Sequence, residues 1–143
     1  MTIIAYRDGV MASDSLIQAN GVTSGMGRKI TKTKQGFLVG GSGSFSNISL
    51  FLDWWEDEAE DKPPLNMLKI DTMNGIVVSK DGVLTFDSPD MYPMEIKAKF
   101  HTLGCGSEIA TGAMEMGATA EEAVKIAIKY LGACGGKVQI VRL

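Results

Sequence analysis

Apolar residues come in short runs broken by Asp-Gly and Gly-Gly steps, and three stretches carry the wider spacing of a helix. Thr2 to Tyr6 and Val10 to Ser13 flank Arg7-Asp8-Gly9, and Asp-Gly between two apolar runs predicts a β-hairpin. From Asp14 to Gly27 the chain is polar and glycine-bearing, and the pattern places no element there. Arg28 to Lys32 alternates as a strand does, and Lys34-Gln35-Gly36 turns the chain into another strand from Phe37 to Gly41. Between Ser44 and Glu58, Ile48, Phe51, Leu52, Trp54 and Trp55 fall at helical spacing. The tryptophans read as a packing face, and Glu56-Asp57-Glu58, Glu60 and Asp61 as a solvated helix end before Pro63-Pro64.

A second hairpin is expected from Gly75 to Ser79 and Val83 to Phe86, around Lys80-Asp81-Gly82. Asp87 to Pro93 reads as a loop and Lys97 to Leu103 as a strand. Two helices follow, Ser107 to Met116 and Thr119 to Leu131. Thr119 reads as an N-cap, with Glu121 and Glu122 in the first turn, where the helix dipole favours negative charge. Gly135-Gly136 ends the helical run, and Val138 to Leu143 closes as a strand. Hairpins with helices in separate blocks argue for an α+β fold. Two facing antiparallel sheets with helices outside would bury this many short apolar strands.

Composition narrows the picture. The 143 residues suit a single domain spanning 1–143, and a net charge of -3 gives no support for nucleic-acid binding. No segment approaches the ~20 apolar residues of a membrane span. The apolar N-terminal run lacks a basic flank and a cleavage site, so a cytoplasmic protein is expected. In a reducing compartment Cys105 and Cys134 are expected as free thiols. His101 is the only histidine, which leaves a zinc site short of ligands, so no metal is expected.

The candidate chemistry starts at Met1-Thr2. Removal of Met1 would leave Thr2 with a free α-amine beside its own hydroxyl. Such an amine titrates near pH ~8, close enough to neutrality to act as the general base for that hydroxyl. Gly40-Gly41-Ser42-Gly43-Ser44 is rich enough in glycine to suggest a phosphate cradle but lacks the Gly-Lys-Ser/Thr ending of a P-loop.

With these residues in view, the chain resembles the proteasome-type N-terminal nucleophile hydrolases, especially the small bacterial and phage members, along nearly its whole length. The hairpin followed by Ala12-Ser13-Asp14-Ser15 looks like the family's first strands and its Ala-x-Asp-Ser motif. Arg28-Lys29-Ile30 looks like the basic pair ending in the catalytic lysine. Val39-Gly40-Gly41-Ser42 looks like the oxyanion-hole turn, and Gly104-Cys105-Gly106-Ser107 resembles the Gly-Ser-Gly turn before the paired helices. The resemblance implies a four-layer αββα sandwich, threonine peptidase activity on peptide or unfolded protein, homo-oligomeric assembly, and no cofactor for bond breaking. An ATP-dependent unfoldase partner is left open. It gives Thr2 the role of nucleophile, Lys29 that of the fixed positive charge and Asp14 that of its anchor. Cys105 stands in place of a serine that assists proton movement, and an amide of Gly40 or Gly41 becomes the oxyanion donor.

This chain departs from the family pattern near its C-terminus, where Leu131 replaces an aspartate and Cys134 a hydroxyl. A second alignment puts Met1 itself at the nucleophile position and leaves no nucleophile. The competing reading is therefore a non-catalytic structural or assembly protein on the same fold, such as a phage-particle component. A third pairs Cys105 with His101 as a cysteine hydrolase, without an evident third group to orient the imidazole.

Overall fold

The computed structural model describes residues 1–143. The chain opens with the expected hairpin, β1 (Ile3–Arg7) and β2 (Val10–Ser13), around Asp8 and Gly9, both at positive φ. A second ribbon follows, β3 (Leu16–Ala19) and β4 (Val22–Met26), turning at Asn20-Gly21 with both residues again at positive φ. β5 (Ile30–Lys32) and β6 (Leu38–Gly43) lead into α1 (Phe45–Glu56), and a short 3-10 turn spans Leu65–Met67. Then come β7 (Met73–Ser79), β8 (Gly82–Asp87), β9 (Met94–Ile96) and β10 (Phe100–Gly104). The helices α2 (Ser107–Glu115) and α3 (Ala120–Tyr130) precede the last strand, β11 (Gln139–Arg142).

The fold is mixed α+β, and every strand pairing is antiparallel. One sheet has the order β10-β1-β2-β11, another the order β5-β6-β7-β8-β9, and β3-β4 forms a separate ribbon. The chain changes sheet between β9 and β10. The expected strand from Lys97 is therefore shorter than the pattern implied: Lys97 to Lys99 make the crossing, and β9 and β10 flank it in different sheets. The β3-β4 ribbon lies in the polar stretch where no element was expected. Val22, Thr23, Ser24 and Met26 are exposed, so no apolar alternation marks that strand. Asn20-Gly21 is the local signal for it, since both residues tolerate the positive φ that a tight hairpin demands.

Side-chain alternation sorts the core into three clusters. Ile3, Ala5 and Ala12 of the first sheet pack with Ala110 and Met114 of α2 and Ala123, Val124 and Ala127 of α3. Their neighbours Ile4 and Met11 point the other way and meet Ile30, Leu38, Ile76 and Val78 of the five-stranded sheet. On that sheet's opposite side, Val39, Met73, Val77 and Phe86 pack on Ile48, Phe51 and Leu52 of α1. Trp54 and Trp55 pack against this third cluster as expected, Trp55 edge-on to Phe51 and Phe86.

Thr119 caps α3 with a reciprocal pair: its hydroxyl accepts from the Glu122 N–H, and the Glu122 carboxylate accepts from the Thr119 N–H. The acidic end of α1 is partly neutralised, because Arg28 reaches Asp53 at 3.1 Å and Glu56 at 2.6 Å. No helix is long and apolar enough to cross a membrane.

Phe51 is fully buried, with its ring centroid 5.5 Å from that of Phe86 and its ring over the bare Cα of Gly75. Phe51→Ala is expected to cost about 3–5 kcal/mol in urea unfolding. A loss below about 1 kcal/mol would show that α1 does not depend on this contact.

Candidate active site

Four of the residues singled out by sequence, Thr2, Asp14, Lys29 and Cys105, come together at one end of the β1-β2 hairpin. Asp14 directly follows β2, and its backbone N–H donates to the Ile3 carbonyl. Its carboxylate accepts from the Ile3 N–H at 3.0 Å and the Gly135 N–H at 3.1 Å. Both oxygens also accept from Lys29 Nζ at 3.0 Å. Lys29 precedes β5, and its ammonium donates a further bond of 2.7 Å to the Met1 carbonyl. The pair is taken out of water almost completely, Lys29 at 1% exposure and Asp14 at 0%. Buried charges on this scale persist only where pairing and hydrogen bonds replace hydration, and here every contact of the pair does so.

Lys29 is held by its backbone as well. Its N–H donates to Gln139 Oε1 at 3.2 Å, and its carbonyl accepts from the Gly41 N–H at 3.1 Å. Gln139 is a residue that sequence reasoning missed. Its Oε1 also accepts from Ser13 Oγ and its Nε2 donates to the Gly27 carbonyl, so one amide ties β2 and β11 to the approach to β5. A glutamine in an ordinary closing strand carries no signal of that role. Gly135 was legible only as a helix terminator. Its carbonyl also accepts from the N–H groups of Ser15 and Leu16, which fixes the start of the β3-β4 ribbon.

Thr2 lies beside this pair and is 2% exposed beneath Met1, which is 67% exposed. The Met1 carbonyl that Lys29 holds is the group that acylates the Thr2 nitrogen. The ammonium therefore already stands beside the position where a free Thr2 amine would be. Gly104 makes the approach of β10 possible: a Cβ there would lie 2.0 Å from the Thr2 carbonyl oxygen, and its φ of +98° suits glycine alone. Next in the chain, Cys105 places its Sγ 3.5 Å from that same oxygen and 3.4 Å from Cys134 Sγ. Burial pushes the Cys134 thiol up to about 12, helped by its contact with Cys105 and by the Asp14 charge, so it stays neutral.

A cleft of about 160 Å³ opens at Thr2 and Lys29, bordered by Gly43 and Ser44 on one side. Leu16, Ile17, Phe45 and Ile48 give it an apolar wall. Gly40 and Gly41, the expected oxyanion donors, do not border it. The Gly41 amide is committed to the Lys29 carbonyl, and both glycines serve packing. A Cβ on Gly40 would meet Ile30 and Ile4 between the sheets, and one on Gly41 would meet Met73 and Ile48 under α1. His101 does not join Cys105. It pairs with Tyr6, three ladder steps from the Ile3–Gly104 pair, or ~10 Å along the strand. Leu131 packs against the helix-side cluster and supplies no polar group.

Lys29→Met and Asp14→Asn are each expected to cost about 3–5 kcal/mol of stability, because each leaves the other charge buried without its partner. The double variant is expected to be less destabilised than the sum of the two, by about 1–3 kcal/mol in chemical denaturation. Strict additivity would mean that the two charges do not sense each other.

No family model matches this sequence, and no curated protein matches it. Solved structures do. BPH from Thiobacillus denitrificans, in complex with epoxomicin, superposes with a TM-score of 0.75 at 20% identity, covering 99% of this chain and 97% of that one. A second structure of the same protein gives a TM-score of 0.75, also at 20% identity, with 99% and 96% covered. HslV from Trypanosoma brucei superposes with a TM-score of 0.66 at 16% identity over 100% of both chains. With two antiparallel sheets apposed through Ile4 and Met11, and a lysine–aspartate pair at the mouth of the first hairpin, this chain has the proteasome-type N-terminal nucleophile hydrolase fold.

Proposed function

We propose that this chain is a threonine peptidase of the proteasome β-subunit-like group, with Thr2 as nucleophile once Met1 has been removed. The observation that carries the reading is the Lys29 ammonium, buried against Asp14 and bonded at 2.7 Å to the carbonyl that blocks the Thr2 nitrogen. Loss of Met1 would take away that acceptor, uncover Thr2 and leave the cation beside a new α-amine. A neighbouring positive charge favours the neutral form of the amine, which is the form that accepts a proton. The three core clusters support the expected αββα layering of a single domain.

In the first step the Thr2 hydroxyl attacks the scissile carbonyl carbon while its proton passes to the α-amine. The carbonyl electrons move onto oxygen, and Lys29 stabilises the developing negative charge around the nucleophile. The C–N bond then breaks, the protonated amine of Thr2 gives its proton to the leaving nitrogen, and an ester remains on Thr2. Water, deprotonated by the same amine, hydrolyses that ester and restores the hydroxyl.

The oxyanion donor is reassigned to the Gly43 amide. Amides in a strand alternate between its two edges. The Gly41 N–H points toward β5, whereas the Ser44 N–H donates to Thr72 on the other side. Gly43 shares the Gly41 edge but lies beyond the start of β5, where the cleft opens. Cys105, with its thiol on the Thr2 carbonyl, is the proton-assisting group in place of a serine, and a thiol is the weaker donor. An extended peptide would lie along β3, with an apolar side chain against Leu16, Ile17, Phe45 and Ile48. Homo-oligomeric assembly and a cytoplasmic location belong to the same proposal.

A second reading is favoured by the Met1 contact itself. With Met1 retained, the Lys29 bond to its carbonyl is a finished structural joint, and the chain is a non-catalytic assembly protein on this fold. The N-terminus separates the two. Protein isolated from its native host is expected to begin at Thr2, and an epoxyketone of the epoxomicin class is expected to label that residue. Labelling should vanish in Thr2→Ala and fall about 100-fold or more in Lys29→Met. An intact mass that includes Met1 throughout the population would sink the peptidase reading.

A further inference from the structure

Two thiols meet beside Thr2, and the proposed hydrolysis uses only one of them. Cys105 sits in the turn between β10 and α2 and is exposed, whereas Cys134 sits in the connection from α3 to β11 and is buried. Although 29 positions apart in sequence, their sulfurs stand 3.4 Å apart. A disulfide requires about 2.05 Å, so the sulfurs, already in contact, need to close by about 1.4 Å. We propose that Cys105 and Cys134 form a redox modification site, at which an oxidant of the peroxide class installs a reversible disulfide against the Thr2 carbonyl.

The two cysteines divide the work by exposure. Cys105 meets the oxidant first. Its sulfur attacks one peroxide oxygen, the O–O bond breaks, and the products are the sulfenic acid of Cys105 and one water. The sulfur has lost two electrons and the peroxide has gained them. Cys134 then attacks the Cys105 sulfur, the S–O bond breaks, and the departing hydroxide takes the Cys134 proton to form a second water. Burial shields Cys134 from the oxidant itself, while its sulfur stands 3.4 Å from that of Cys105 and is placed to attack it. An external dithiol reverses the bond, returning two electrons and two protons.

The product changes the surroundings of Thr2. Cys105 Sγ now donates to the Thr2 carbonyl, and a disulfide sulfur has no hydrogen to give. The bond also ties the β10-α2 turn to the segment whose Gly135 holds Asp14 and the first residues of β3. The proposal rests on sulfur geometry and does not require hydrolysis, so it stands or falls independently of the peptidase reading.

The test uses the full-length protein, reduced and then treated with stoichiometric hydrogen peroxide. Free thiols are alkylated with iodoacetamide after denaturation, and the cysteines are mapped by mass spectrometry. The expected result is a monomer lighter by about 2 Da, with no alkylation and with Cys105 and Cys134 in one cross-linked peptide pair. Dithiothreitol should restore two alkylatable thiols. In Cys134→Ser the sulfenic acid of Cys105 should persist and be captured by dimedone, at several times the wild-type yield. The proposal is overturned by two alkylated thiols after peroxide, by a sulfinic acid on Cys105 with Cys134 free, or by a disulfide between chains. Should Cys134→Ser fail to fold, the wild-type mapping decides alone, since it needs no substitution.

Discussion

The buried pair of Lys29 and Asp14 is the constraint that organises the rest of the site. Removing an ammonium and a carboxylate from water costs several kcal/mol per ion, and mutual attraction offsets this only if the remaining hydrogen-bonding positions are also filled. Asp14 achieves it with the N–H groups of Ile3 and Gly135. Lys29 achieves it with both oxygens of Asp14 and the Met1 carbonyl. Four separate stretches of chain must therefore arrive at one point: the N-terminus, the end of β2, the approach to β5 and the segment after α3. A single misplaced segment would leave a charge short of partners, so the pair specifies geometry more than it adds stability.

Much of the fold was legible because strand alternation and helix spacing are local signals. The Asp8-Gly9 hairpin, the α1 face of Ile48, Phe51 and Leu52, and the Thr119 cap all formed where the pattern put them. The failures share a cause. β4 has no buried face to generate alternation, and its four exposed positions read as loop. The strand expected from Lys97 to Leu103 begins only at Phe100, and β9 just before it was not expected and joins the other sheet, because apolar pattern cannot tell which sheet a residue joins. That assignment is settled by long-range pairing, which leaves no mark on neighbouring residues.

The same contrast runs through the site. Asp14 and Lys29 stood out because Ala12-Ser13-Asp14-Ser15 and Arg28-Lys29-Ile30 resemble short family motifs, and the structure brings the two side chains together. Thr2 was legible through the chemistry of a terminal amine. Gly135 acts through its backbone and Gln139 through a side-chain amide with no fixed charge, so neither differs in sequence from a helix stop or a polar strand position. For the glycine-rich turn, which edge each amide presents depends on where β5 begins, a long-range pairing with no mark in the local sequence. Gly41 loses its amide to Lys29, and the free edge starts two residues later.

Leu131 and Cys134 look like losses when the site is imagined as a polar cluster, yet they fit the electrostatics of a site with one buried ion pair. Lys29 already directs its bonds to Asp14 and Met1, so a carboxylate at 131 would find no free donor on it. Leucine needs no donor and packs with the helices. Cys134 stays neutral, with burial pushing its thiol up to about 12, so it fills space beside Asp14 without adding charge. Lys29 is thereby held between Asp14 and the Met1 carbonyl, the group bonded to the Thr2 nitrogen.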